Sequence, residues 1–222
     1  MRILKIAAIA AWSAFATLLV PVTVRAQSPG CTVSLTPSTP SPHLVGELVV
    51  WTATAASCGN APVFQYKVAT AGENPRFRMV RDFSLDNTFA WAPLQEGSYK
   101  IIVLVKNSFD ATESTSVIAF DRTNSRVAET QAVVTPALNP LVALYSAPAC
   151  EDGSVHVEFR PVSNSNDLPW MTTNTLPCIH GQSRNFLVAG MLPGTPYEMV
   201  HVNSEGYLSP LCPSQPALCP NH

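Results

Sequence analysis

Apolar and polar residues alternate along much of the chain. The runs "FQYKVAT" (64–70), "SYKIIVLVKN" (98–107) and "SVHVEFRPV" (154–162) carry apolar side chains at every second position. Clusters of Gly, Pro, Asn and Asp separate such runs. A period of two predicts strands with one buried face, and many short strands at this spacing are typical of antiparallel sandwiches. We therefore expect an all-β fold of two consecutive antiparallel β-sandwiches.

The runs divide into two domains. Residues 31–121 hold enough strands for one Ig-like sandwich, which "STSVIAFD" (114–121) closes. The segment 122–135 is polar and weakly periodic, which predicts a linker across which the two cores share few contacts. Residues 136–222 then predict a second sandwich, which is fibronectin type III-like by the resemblance of its corner described below. Its C-terminal end should be irregular or truncated, because Pro210, Pro213, Pro216 and Pro220 cannot donate to a strand ladder.

Each predicted sandwich contains a tyrosine corner. In the first, Gly97 makes a turn and Tyr99 follows two residues later, so that the phenol can cap a backbone group while its ring packs inward.

The corner of the second sandwich lies in "GMLPGTPY" (190–197), which resembles the corresponding corner of fibronectin type III domains. The resemblance implies that Leu192 fills the core, that Pro193 and Gly194 make the turn, and that Tyr197 bonds back to the main chain. It implies nothing about catalysis.

The N-terminus predicts export. A short basic region, an apolar run from Ile6 to Val20 and a small-x-small site ending at Ala26 form a secretory signal peptide over residues 1–26. The alternative is a retained membrane anchor, since the apolar run approaches the roughly 20 residues that span a bilayer. Pro21 and the cleavage site favour removal, which predicts a periplasmic or secreted protein with no stable membrane span.

The charge of the chain argues against nucleic-acid binding, and its composition favours short strands. The chain has 13 basic and 15 acidic residues, a formal net charge of −2, and no basic stripe, so nucleic acid is a poor partner. Twenty prolines and only 13% charged residues suit short strands joined by fixed turns.

Six cysteines follow the signal, an even number that indicates disulfides in an oxidising compartment. Their positions favour the pairs Cys31–Cys58, Cys150–Cys178 and Cys212–Cys219, although six cysteines permit other pairings. Zinc binding by Cys212, Cys219 and His222 is the alternative for the last pair, but this spacing fits no standard zinc pattern.

No motif predicts catalysis, and we expect no catalytic residue, cofactor or metal ion. Alternation points His201 toward the interior, while His180 lies in a loop with no carboxylate or serine beside it in sequence. Trp51 and Trp91 are typical core residues. Trp170, near Asn164, Asn166 and Asp167, either packs under its own loop or helps to bind a sugar or peptide.

Four phrases together resemble the N-terminal region of bacterial arylsulfotransferase-like secreted proteins: "FRMVRDFS" (77–84), "FAWAPLQEGSYKI" (89–101), "NPLVALYSAPAC" (139–150) and "NFLVAGMLPGTPYEM" (185–199). In that family, such sandwiches precede a β-propeller whose histidine transfers sulfate between phenols. The residues after 202 are too few for a propeller, and none of the five histidines matches the catalytic position.

These observations predict an exported, non-catalytic spacer or interaction module with a protein or glycan partner. One alternative is a truncated arylsulfotransferase-like enzyme, and another is an extracellular sugar or peptide binder. A missing last strand would also leave an edge open to self-association.

Overall fold

The computed structural model describes residues 30–109, 114–162 and 168–204, together with the backbone of residues 212–213. Within these ranges the chain forms strands, turns and loops and no helix. The all-β class expected from the alternation is confirmed.

The first half of the described chain forms eight strands: β1 (Thr32–Pro37), β2 (His43–Leu44), β3 (Val49–Ala56), β4 (Pro62–Thr70), β5 (Arg78–Ser84), β6 (Thr88–Trp91), β7 (Gly97–Asn107) and β8 (Ser114–Asn124). They make two sheets, one of three strands in the order β1-β3-β6 and one of five in the order β2-β8-β7-β4-β5. All neighbours are antiparallel except the short β2, which runs parallel to β8.

The core of this first sandwich follows from alternation. Trp51 on β3 faces Ile101 and Val103 on β7, and the residues between them in sequence point away from the core. Tyr66 and Phe89 stack inside it with their ring centroids 5.3 Å apart. Burial of each large apolar side chain contributes about 1.5–3 kcal/mol, so these alternating positions hold the two sheets together.

The second half forms eight further strands: β9 (Val133–Pro136), β10 (Val142–Ala147), β11 (Ser154–Pro161), β12 (Met171–Thr172), β13 (Leu176–Pro177), β14 (Arg184–Ala189), β15 (Tyr197–Asn203) and β16 (Cys212–Pro213). One sheet has the order β14-β10-β9. The other has the order β12-β11-β15-β16, with β13 also paired to β11. A separate core lies between these sheets, built around Tyr145, Val157 and Met199.

The strand-free connection between the sandwiches is shorter than the predicted linker of 122–135. Strand β8 continues to Asn124 because its end pairs with both β7 and β2. Strand β9 begins at Val133 because it pairs with β10. Only residues 125–132 lie outside strands.

The last described strand of the second sandwich has only two residues. Cys212 and Pro213 pair antiparallel with Met199 and Glu198 of β15, at the edge of the sheet. An edge position tolerates proline because the missing N–H need not meet a neighbouring strand. Pro213 therefore fits a short edge strand, whereas Pro210, Pro216 and Pro220 of the predicted irregular end lie outside the described residues.

Candidate functional site at the junction of the two sandwiches

Part of the outer face of the β14-β10-β9 sheet is buried although it points away from the core of the second sandwich. On β10, Ala143, Tyr145 and Ala147 face the core, so Leu144 and Ser146 between them face outward. Both are nevertheless buried. The buried Asn185 lies directly opposite Ser146 on β14. The first sandwich contacts this region at Leu144 and Ser183, and we call Leu144, Ser146, Ser183 and Asn185 together the junction face.

The loop after β2 supplies the apolar contact. Gly46 lies so close to Leu144 that an added Cβ would overlap the leucine side chain. Its φ of +74° is a conformation that L side chains rarely adopt. The amide of Gly46 also donates to the carbonyl of Pro93 at 2.7 Å, which anchors the loop to its own sandwich. Glycine here allows the backbone of the loop to pack directly against the Leu144 side chain.

Glu96 supplies the polar contact. It lies in the turn that opens β7, and its Oε1 accepts a hydrogen bond from the Ser183 amide at 2.8 Å. The Ser183 hydroxyl donates to the same oxygen. Hydrogen bonds to a charged acceptor are stronger than neutral ones, about 1.5–3 kcal/mol each, and here they join residues 87 positions apart.

Arg184 adds a buried positive charge beside this contact. Burial lowers the pKa of its guanidinium, and the negative charge of Glu96 opposes that effect. Its Nε makes no hydrogen bond to any residue that the structure describes. Glu96 therefore serves two purposes, because it accepts from Ser183 and provides a counter-charge for Arg184.

The connecting segment is tied to the same place. Arg126 donates from Nε to the carbonyl of Val45 at 2.5 Å. Val45 is fully buried, and its amide bonds to the carbonyl of Asn124 at 3.0 Å. The sequence predicted few contacts across a polar linker. The structure instead brings the connection, the Gly46 loop and the junction face together.

The first tyrosine corner has the geometry that its sequence suggested. The Tyr99 hydroxyl donates to the carbonyl of Gln95 at 2.7 Å, just beyond the turn at Gly97. Thr123 on β8 donates to the same carbonyl at 2.7 Å. Burial raises the pKa of Tyr99, which therefore stays protonated and able to donate. The corner fixes the turn that carries Glu96.

The second corner differs at one residue. Tyr197 is buried, and its hydroxyl accepts a hydrogen bond from the Leu192 amide at 3.0 Å. Pro193 and Gly194 form the turn, with Gly194 at φ +67°. The prediction that Leu192 fills the core is wrong, because its side chain is 63% exposed. Met191 packs against the core instead. In this turn Met191 therefore takes the place that the resemblance to fibronectin type III corners assigned to Leu192.

Disulfides join Cys31 to Cys58 and Cys150 to Cys178. They close loops with sequence separations of 27 and 28 residues, and each packs against the core of its own sandwich. By the chain-entropy relation, such loops stabilise the fold by about 3–4 kcal/mol each. The predicted Cys212–Cys219 bond lies outside the described residues.

His43 and Asp121 form a buried pair that the sequence did not indicate. His43 Nε2 lies 2.9 Å from Asp121 Oδ2, and the two side chains are 0% and 1% exposed. Their separation of 78 residues left no local pattern that could have revealed them. The pair links β2 to β8. Because both side chains are buried, a ligand in the solvent cannot reach them, and the pair is not available for acid–base chemistry on a ligand.

Two other histidines meet partners that the sequence did not show. His201 Nδ1 lies 2.9 Å from the Tyr145 hydroxyl, and burial lowers the pKa of His201. The exposed His180 forms an ion pair with Glu151. The structure thus places a carboxylate beside His180 that is distant in sequence, but exposure leaves the pair solvated.

Trp51 and Trp91 pack within the first sandwich. Trp51 is buried, and Trp91 is half-buried with its ring edge-on to Tyr99 at 4.8 Å. The guanidinium of Arg160 lies 4.3 Å from the centre of the Trp170 ring. Residues Asn164, Asn166 and Asp167, which the sugar or peptide hypothesis paired with Trp170, lie outside the described residues.

The described ranges contain no cluster of three or more His, Cys, Asp or Glu side chains arranged to hold a metal ion. They also contain no helix that is both long and apolar enough to cross a bilayer. Compared with models of known protein families and with curated protein sequences, the chain matches none significantly.

Proposed function

We propose that this chain is an exported spacer and interaction module in which two β-sandwiches are held in one fixed orientation. The contact between Glu96 and Ser183 carries this proposal, because it joins the sandwiches by two hydrogen bonds to one carboxylate. Gly46 against Leu144 adds an apolar contact at the same place. A spacer transmits position only if its parts do not rotate freely.

Export is part of the same proposal. The signal-like residues 1–26 lie outside the described residues, but the two disulfides favour an oxidising compartment. The combination favours the periplasm or the exterior. The resemblance to arylsulfotransferase-like proteins would place such a pair of sandwiches ahead of a catalytic domain. An assay with a phenolic sulfate ester tests that alternative, and we expect no sulfate transfer by this chain.

The test of the proposed spacer is a pair of substitutions at Glu96. Glu96→Ala removes the acceptor and should lower the hydrogen-exchange protection of β10 and β14 in the other sandwich. Glu96→Gln keeps an acceptor oxygen and should retain most of that protection. Glu73→Ala, at an exposed loop position, is the matched control.

Exchange can be followed peptide by peptide with mass spectrometry on the disulfide-intact protein. If Glu96→Ala changes protection only within residues 31–124, the two sandwiches are independent and the spacer proposal fails.

A further inference from the structure

The five-stranded sheet of the first sandwich has an outer face that no described part of the chain covers. Core residues of β7 alternate with Ile102 and Leu104, which point away from the core. In the pairing of β7 with β8, Ile102 lies opposite Ile118 and Lys100 lies opposite Phe120. On the other side, Lys67 of β4 lies between Ile102 and Met79 of β5. These positions share one surface.

The centre of that surface is apolar and accessible. Phe120 is 69% exposed, Met79 is 52% exposed and Ile118 is 47% exposed, while Ile102 and Leu104 are half-buried between them. We call this set of five side chains the apolar face. Isolated exposed apolar residues are ordinary, but a contiguous group on a regular sheet is typical of an interaction site.

Cations border the apolar face. Lys100 lies beside Phe120 with its ammonium 5.9 Å from the ring centre, and Lys106 lies 4.2 Å from the ring centre of Phe83. Lys67 and the exposed Arg122 share the surface by register. Of the residues that the structure describes, Asp82 is an acidic residue at this border, and its carboxylate already accepts a hydrogen bond from Gln65 at 2.9 Å.

We propose that the apolar face binds a partner protein through an apolar strip that is flanked by carboxylates. This deepens the proposed function and rests on its interaction role. A second copy of the chain is a poorer fit, because two such faces would bring lysines against lysines, and like charges across an interface oppose association. The apolar strip of the partner would pack on the centre of the apolar face, and its carboxylates would pair with the cations at the border.

A random peptide library displayed on phage, selected against the disulfide-intact protein, tests the proposal. We expect the selected peptides to be enriched in both apolar and acidic residues over the starting library. Synthetic copies of the best binders should bind at least tenfold more weakly to the double variant Ile118→Ser, Phe120→Ser. Leu138→Ser, at a residue that is 83% exposed on the other sandwich, should leave binding unchanged.

Charge reversal provides a second test that does not alter the apolar residues. Lys67→Glu with Lys100→Glu should weaken the same peptides at least tenfold. Selection of peptides without acidic enrichment, or binding that survives the Ile118 and Phe120 substitutions, would overturn the proposal. So would a dimer, measured by sedimentation, that these substitutions dissociate. None of these outcomes depends on Glu96. The spacer proposal and the proposed binding at the apolar face can therefore be refuted separately.

Discussion

The buried pair of His43 and Asp121 allows a quantitative test of how the first sandwich is closed. Strand β2 pairs with β8 at only two positions, and the contact of His43 with Asp121 adds a buried side-chain link between the two strands. His43→Leu removes one partner and leaves a carboxylate that is 1% exposed without its 2.9 Å contact. Removing one member of a buried pair costs about 3–5 kcal/mol, because the remaining charge is neither solvated nor paired.

The double variant His43→Leu, Asp121→Leu separates the pair from simple loss of packing. Replacing both members with apolar residues of similar volume is often close to neutral, so we expect it to recover much of the loss. His180→Leu is the control, since it removes the same kind of ion pair from an exposed site, where such pairs contribute about 0–1 kcal/mol.

Urea unfolding at neutral pH, with the disulfides intact, gives each free energy of unfolding. A loss below about 1 kcal/mol for His43→Leu, with additive effects in the double variant, would refute the structural role of the pair.

Three further predictions concern single side chains. Tyr99→Phe and Tyr197→Phe should each lower the free energy of unfolding by about 1 kcal/mol, the usual effect of losing one hydrogen bond, as measured by urea denaturation. Burial lowers the pKa of His201 below its usual 6.5, so the unfolded chain binds more protons in that range. Stability should therefore fall as the pH drops below 6.5, and the fall should be smaller in His201→Gln. Burial raises the pKa of Tyr66 to about 12, so its absorbance should titrate later than that of an exposed tyrosine. Stability should decrease above pH 10, and Tyr66→Phe should remove that part of the decrease.

The regular strands could be predicted from the sequence because their burial alternates. On β7, Tyr99, Ile101, Val103 and Val105 are buried and the residues between them are not, so a period-two pattern suffices. The sequence did not distinguish most of strand β9 from the polar linker, because β9 is only four residues long and half-buried. At such a length, alternation carries little information.

The contacts between the two sandwiches could not be predicted in the same way. Glu96 and Ser183 are 87 residues apart, and neither stands out in its own segment. Leu144 looks like any apolar strand residue, although it faces outward and is buried by the other sandwich. Alternation predicts which side a residue takes but not what covers that side. Contacts between sandwiches depend on how the two folded surfaces meet.

The most direct test of the fixed orientation is the distribution of distances between the sandwiches in solution. Non-natural residues whose side chains react with a spin label, and which carry no thiol, can be introduced at the exposed positions Leu85 and Leu138. Pulsed electron resonance should then give one narrow distance distribution in the wild-type background and a broader one with Glu96→Ala. A broad distribution in the wild type, unchanged by Glu96→Ala, would contradict the account.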